Sequence, residues 1–250
     1  MKKLSPLVLA LALVLPAQAQ KLLSDFYAIG FVDDFGGRKW VKADPVEMVV
    51  VDRFHTTETG LVQFLNKVIE LENKRTFDKV ATSLENWETQ NCYYCHEFKR
   101  LHSKRLTEKI NDAFTFKGGR EEDAKGNKIL VGTLREKAFK TLEEKASFLA
   151  GAYVRYGFQA GGKYGIRLTK SLSKFDAVVR ELKTLGCEVH EVTQAAEGSA
   201  SQLVTFTPSK ELRPYLDQQE KLRQSIAAKK EQFSREKQSK VVEFFTISGN

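Results

Sequence analysis

The apolar positions divide the chain into short alternating segments and longer helical stripes. Tyr27-Ala28-Ile29-Gly30-Phe31-Val32, Lys39-Trp40-Val41-Lys42 and the stretch from Glu47 to Asp52 read as strands of an antiparallel meander. Turn clusters separate them: Asp33-Asp34-Phe35-Gly36-Gly37, then Asp44-Pro45. Leu61, Leu65, Val68 and Leu71, widened by Val62 and Ile69, predict an amphipathic helix over 59–72. Val80, Leu84, Trp87, Tyr94, Phe98 and Leu101 continue at helical steps. A second helix is therefore expected from Phe77, either unbroken to Phe114 or interrupted at Asn91. Gly118-Gly119, Glu121 to Asp123 and Gly126-Asn127 make a polar loop. Ile129-Leu130-Val131 is a short strand, and Thr133-Leu134-Arg135-Glu136 carries the capping-box pattern that opens a helix to Tyr156.

The C-terminal part is the most regular. Tyr164 to Leu168 is strand-like, and Phe175, Val178, Val179, Leu182 and Leu185 form a helical stripe ended by Gly186. Cys187 to Val192 and Leu203 to Phe206 are strands around a small-residue loop, Ala195 to Ala200. Thr207-Pro208 opens a long helix with Leu212, Tyr215, Leu216, Leu222 and Ile226 on one face, and Val241 to Ile247 closes as a strand. The order β-α-β-β-α-β is the ferredoxin-like arrangement. The expected fold is thus α+β: strands and helices over 20–117, a loop over 118–128, and the ferredoxin-like part over 129–250. No long internal repeat stands out.

The N-terminus changes the setting. Lys2 and Lys3, the apolar run Leu7 to Leu15, Pro16 and Ala17-Gln18-Ala19 have the three-part order of a secretory signal. Cleavage is expected after Ala19, with the protein exported to a periplasmic or extracellular space where thiols are paired or ligated. No later apolar run is long enough to cross a bilayer, so an integral membrane protein is not expected. Removing Lys2 and Lys3 takes the formal net charge from +8 to +6. That excess suits an anionic partner, but an exported protein rarely meets nucleic acid, so nucleic acid is not an expected partner. The charges of the last helix alternate in sign, as on a solvated face. There is no Gly-rich phosphate loop, G-x-S-x-G or H-E-x-x-H pattern to support an enzyme of those classes.

The most specific motif is Cys92-Tyr93-Tyr94-Cys95-His96. An exported C-x-x-C favours a Cys92–Cys95 disulfide, leaving Cys187 as a buried thiol. The same five residues resemble the attachment motif of c-type cytochromes. That resemblance implies haem c bound through Cys92 and Cys95 with His96 as proximal ligand, His55, His102 or His190 as distal candidates, and an electron-transfer role. A third arrangement joins Cys92 and Cys95 to Cys187 and His190 around zinc, although positions 187 and 190 of a regular strand face opposite ways. His55 beside Thr56, Thr57 and Glu58 suits a capping role, and Asp33-Asp34 a solvated turn rather than a metal site. The basic residues from Lys99 to Lys109 spread around their segment instead of forming a stripe. The expected function is a non-enzymatic extracytoplasmic binding or structural protein with a Cys92–Cys95 disulfide and no cofactor, the haem protein being the alternative.

Overall fold

A computed structural model describes residues 20–88, 92–194 and 201–248. The expected signal over 1–19, the expected break at Asn91 and the expected loop over 195–200 lie outside the described residues. At the centre, helix α1 (Ser24–Phe31) lies against α4 (Leu142–Tyr156). They run parallel: the Leu23 amide donates to Ser147 Oγ at 3.0 Å at one end, and Arg155 and Tyr156 donate to the Phe31 carbonyl at the other. Their backbones touch because two glycines face each other. A Cβ on Gly30 would stand 2.1 Å from the Phe148 carbonyl oxygen, and one on Gly151 2.0 Å from that of Tyr27. Tyr27, Phe31, Phe148 and Tyr153 are fully buried around this seam.

From each helix the chain follows the same order. After α1 come β1 (Arg38–Trp40), β2 (Val50–His55), α2 (Thr59–Asn73), β3 (Ser83–Asn86), β4 (Phe98–His102) and α3 (Lys104–Asn111). The hairpin β5 (Phe114–Glu122) and β6 (Lys128–Leu134) intervenes. After α4 come β7 (Gly157–Ala160), β8 (Lys163–Thr169), α5 (Leu172–Thr184), β9 (Glu188–Thr193), β10 (Ser201–Thr207) and α6 (Arg213–Ser248). The α-β-β-α-β-β-α series therefore occurs twice, an internal repeat that the residue pattern does not announce. All pairings are antiparallel, in sheets ordered β7-β8-β10-β9, β2-β4-β3 and β1-β6-β5. One apolar core runs through both halves.

The α+β class, the helix after Thr59 and the strands near 164, 189 and 204 stand as expected. Phe175, Val178 and Leu182 of the α5 stripe are buried. Several elements differ. Tyr27 to Val32 belongs to α1 and its cap, not to a strand, because a helix apolar on every side shows no period. Residues 77–114 hold β3, β4 and α3 in place of one helix; Ser103 Oγ accepts from the Leu106 amide and starts α3. Residues 118–122 lie in β5. The capping box that opens α4 is Thr141 with Glu144, eight residues beyond the expected Thr133 and Glu136, which are drawn off by strand pairing through Thr133 and Leu134. The ferredoxin-like order fails at both ends: β7 supplies the fourth strand, and 241–247 continues α6 as helix.

Candidate functional site

The parallel helices end at one level, and their ends collect charge. Arg155, near the end of α4, has a side chain only 8% exposed and spends all five N–H donors there. Nη1 donates to Asp52 at 2.5 Å and to the Phe31 carbonyl at 2.8 Å, Nη2 to Glu58 at 3.0 Å and to the Arg53 carbonyl at 3.1 Å, and Nε to Glu58 at 3.1 Å. Lys230 of α6 reaches the same Glu58 at 2.7 Å. Burial alone would raise the Glu58 pKa, but Arg155 and Lys230 overcome it and hold the carboxyl at about 2. Lys174 of α5, fully buried, donates to the Val32 carbonyl and lies 3.3 Å from Asp34, which also accepts from Ser171 Oγ. Burial lowers the Lys174 pKa, and Asp34 opposes the shift. Arg38 donates to Asn111 at 2.6 Å and to the Val51 carbonyl at 3.2 Å, and burial lowers its pKa to about 10.

Here each buried carboxylate already has its cation. A metal ion entering would have to displace Arg155 or Lys174. Among the described residues, no group of three or more His, Cys, Asp and Glu is arranged to hold a metal. Asp34 is 3% exposed, so the solvated turn expected of the Asp33-Asp34 pair holds for Asp33 alone.

The outward sheet faces are different. Alternation along β8 buries Tyr164, Ile166 and Leu168 and turns Lys163 and Arg167 out. The Arg167 guanidinium lies 5.4 Å from the Phe158 ring. Just beyond β8, Lys170 sits 5.3 Å from the Phe35 ring, and its carbonyl accepts from the Gly36 amide, joining the second half to the start of β1. On β1, β6 and β5, exposed Lys39 and Lys117 both stand in register with Val131. Lys39 pairs with Glu121 at 3.2 Å. Among the described residues, Lys117, Lys163, Arg167 and Lys170 have no ion-pair partner.

Solved structures of the homing endonuclease I-DmoI are similar to this chain. One, of mesophilic variants, is 14% identical with a TM-score of 0.46, covering 77% of this chain and 85% of that chain. Another, a complex with target DNA in the presence of 2 mM manganese, is 14% identical with a TM-score of 0.44 over 77% and 89%. A third, with DNA and calcium, is 14% identical with a TM-score of 0.45 over 76% and 85%. No protein-family model and no curated protein matches the chain. Against these structures, the expectation of a non-enzymatic exported binding or structural protein, with nucleic acid excluded as a partner, is withdrawn.

The cysteine motif lies on the turn before β4, where the following Glu97 stands 3.6 Å from His55. Cys92 and Cys95 are joined, their Cα atoms 5.4 Å apart, and Cys187 is free and buried. His96 is exposed beside them. These residues do not fit haem c, since both attachment thiols are consumed in one bond and the imidazole points to solvent. Nor does a Cys92, Cys95, Cys187 and His190 cluster form. His55 caps the turn Thr56–Glu58, accepting from the Thr57 amide through Nδ1 while Glu58 accepts from its amide at 3.2 Å. Arg155, Lys174 and the outward cations were not singled out from sequence. Each stands alone among apolar or small neighbours, and only the two paired halves bring them together.

Proposed function

We propose that this chain binds duplex nucleic acid across the outward faces of its sheets. The observation that carries this reading is the set of unpaired cations Lys163 and Arg167 on β8, Lys170 just beyond it and Lys117 on β5, with the Phe158 and Phe35 rings beside Arg167 and Lys170. Cations without carboxylate partners attract phosphates and release their counterions, the main source of affinity for a nucleic-acid backbone. Lys163 and Arg167 are about 13 Å apart along β8, close to the width of a DNA major groove, which admits paired strands. The neutral helix-pair end adds no repulsion toward the backbone. We further propose that the segment over 1–19 sends the chain out of the cytoplasm, so that the nucleic acid it meets is extracellular.

The test is fluorescence anisotropy of a labelled duplex titrated with protein from about 50 to 200 mM salt. Binding should weaken linearly on logarithmic axes. K117E/K163E/R167E should lower the steepness by about 3, close to 0.9 for each phosphate that is no longer neutralised. No binding at the lowest salt, or a triple variant that binds like the parent, would overturn the reading.

A further inference from the structure

The two halves differ at one place. In the second, β7 and β8 pair directly, from Gly157 opposite Ile166 to Ala160 opposite Lys163. In the first, the corresponding strands β1 and β2 do not pair: β1 joins β6 and β2 joins β4. A cleft of about 630 Å³ lies between them, within the range of small-molecule sites. Both tryptophans of the chain, Trp40 and Trp87, line it. Trp40 Nε1 donates to the Met48 carbonyl at 3.3 Å, and the Arg53 guanidinium lies 4.6 Å from the Trp87 ring. Arg53 and Arg100 stand opposite each other on β2 and β4, and both bind Glu47 through a terminal nitrogen, at 2.7 and 3.1 Å. The Nε of each is buried without a hydrogen-bond partner. Buried donors left unspent call for an acceptor. Five basic and five acidic side chains line the cleft, so it favours a neutral group over a phosphate.

We propose that this cleft takes a purine ring: its flat face against the indole walls, its acceptor edge on the Arg53 and Arg100 guanidinium groups. Guanine presents such an edge through O6 and N7, atoms that arginine recognises in DNA. The ring has two sources, a free purine nucleotide or a base unpaired from a strand lying on the outward faces, and the second rests on the binding reading above.

Because both tryptophans line the cleft, absorption-corrected intrinsic tryptophan fluorescence of the full chain reports on it. The probes are GMP, ribose 5-phosphate, a duplex with one unpaired guanine, and the same duplex fully paired. Saturable quenching by GMP and none by ribose 5-phosphate supports the proposal with a free nucleotide as source. Quenching by the duplex with the unpaired guanine, and not by GMP or the paired duplex, supports it with an extruded base. Arg100→Lys keeps the charge beside Glu47 but lacks the Nε donor, and should weaken the effective ligand about threefold to tenfold while the thermal midpoint stays. Should that variant melt early, Trp87→Phe replaces it, with the same loss of affinity expected. No quenching by any probe, equal quenching by GMP and ribose 5-phosphate, equal quenching by the two duplexes with none by GMP, or a folded Arg100→Lys that binds like the parent overturns the proposal. Failure of the binding reading is separate, because duplex affinity is read by anisotropy and through Lys117, Lys163 and Arg167, none of which lines the cleft.

Discussion

Replacing Gly151 by Ala tests whether the α1–α4 seam organises the fold. An added Cβ would stand 2.0 Å from the Tyr27 carbonyl oxygen, 2.9 Å from its carbon and 3.3 Å from Gly30 Cα. Ordinary van der Waals separation is about 3.5 Å, so the backbones must part by roughly 1.5 Å. Neither neighbour is a flexible side-chain tip that could turn aside. Overpacking a core costs about 1–3 kcal/mol, and a clash with backbone belongs at the upper end or beyond. The helix itself gains about 1 kcal/mol when glycine becomes alanine. The net expectation is a loss of about 2 kcal/mol, which lowers the thermal midpoint by roughly 4–8 °C in a chain of this size. Gly60→Ala is the matched control within α2. Its nearest neighbour is Leu222 Cδ1 at 3.2 Å, a movable methyl group. There the propensity gain should survive, leaving stability unchanged or up to about 1 kcal/mol higher. Urea unfolding followed by circular dichroism measures both. If Gly151→Ala is as stable as the parent, or Gly60→Ala loses as much, the glycines do not set the seam.

The remaining predictions concern charge and the cysteines. Glu58 is held at about 2 in the folded chain against an ordinary 4.5, so its stabilisation is complete above about pH 4.5 and is lost as pH falls toward 2. Roughly 3 kcal/mol is at stake, and an unchanged urea midpoint at about pH 3 would refute the assignment. Arg155→Met leaves Asp52 without its cation, while Glu58 keeps Lys230, and should cost about 3–5 kcal/mol, part of it recovered by adding Asp52→Asn; a cycle of single and double variants in urea shows whether the two sites are coupled. Reducing Cys92–Cys95, or replacing both by Ser, should cost about 2 kcal/mol, because the closed loop is short. Intact mass spectrometry of the oxidised protein should show about two mass units less than the reduced form, and a gain of one haem would contradict the bond.

The legible elements were those with one wet face. Leu61, Leu65 and Val68 in α2 and Phe175, Val178 and Leu182 in α5 recur at helical spacing because the opposite side of each helix meets solvent. The helices that organise the fold lack that contrast. Tyr27 to Phe31 and Ala146 to Val154 are buried on every side, so α1 resembled a strand and the start of α4 was placed at the wrong capping box. The repeat stayed hidden for the same reason, since its clearest shared feature is a single glycine in each helix. The outward cations were missed because strand alternation spaces them two or four residues apart, as at Lys163 and Arg167, so no basic run forms.

Matching Gly30 to Gly151 sets Asp34 against Arg155 and Phe35 against Tyr156. A repeat with identical ends would bring two like charges to one buried level, where mutual repulsion is far stronger than in water. This chain places an acid in one copy and a base in the other. Lys174 then answers Asp34, while Arg155 and Lys230 together answer Asp52 and Glu58, and these six charges cancel. The consequence reaches the surface. With the centre neutral, Lys117, Lys163, Arg167 and Lys170 on the outward faces keep their charge uncompensated, and an approaching polyanion meets attraction there without a carboxylate field behind it.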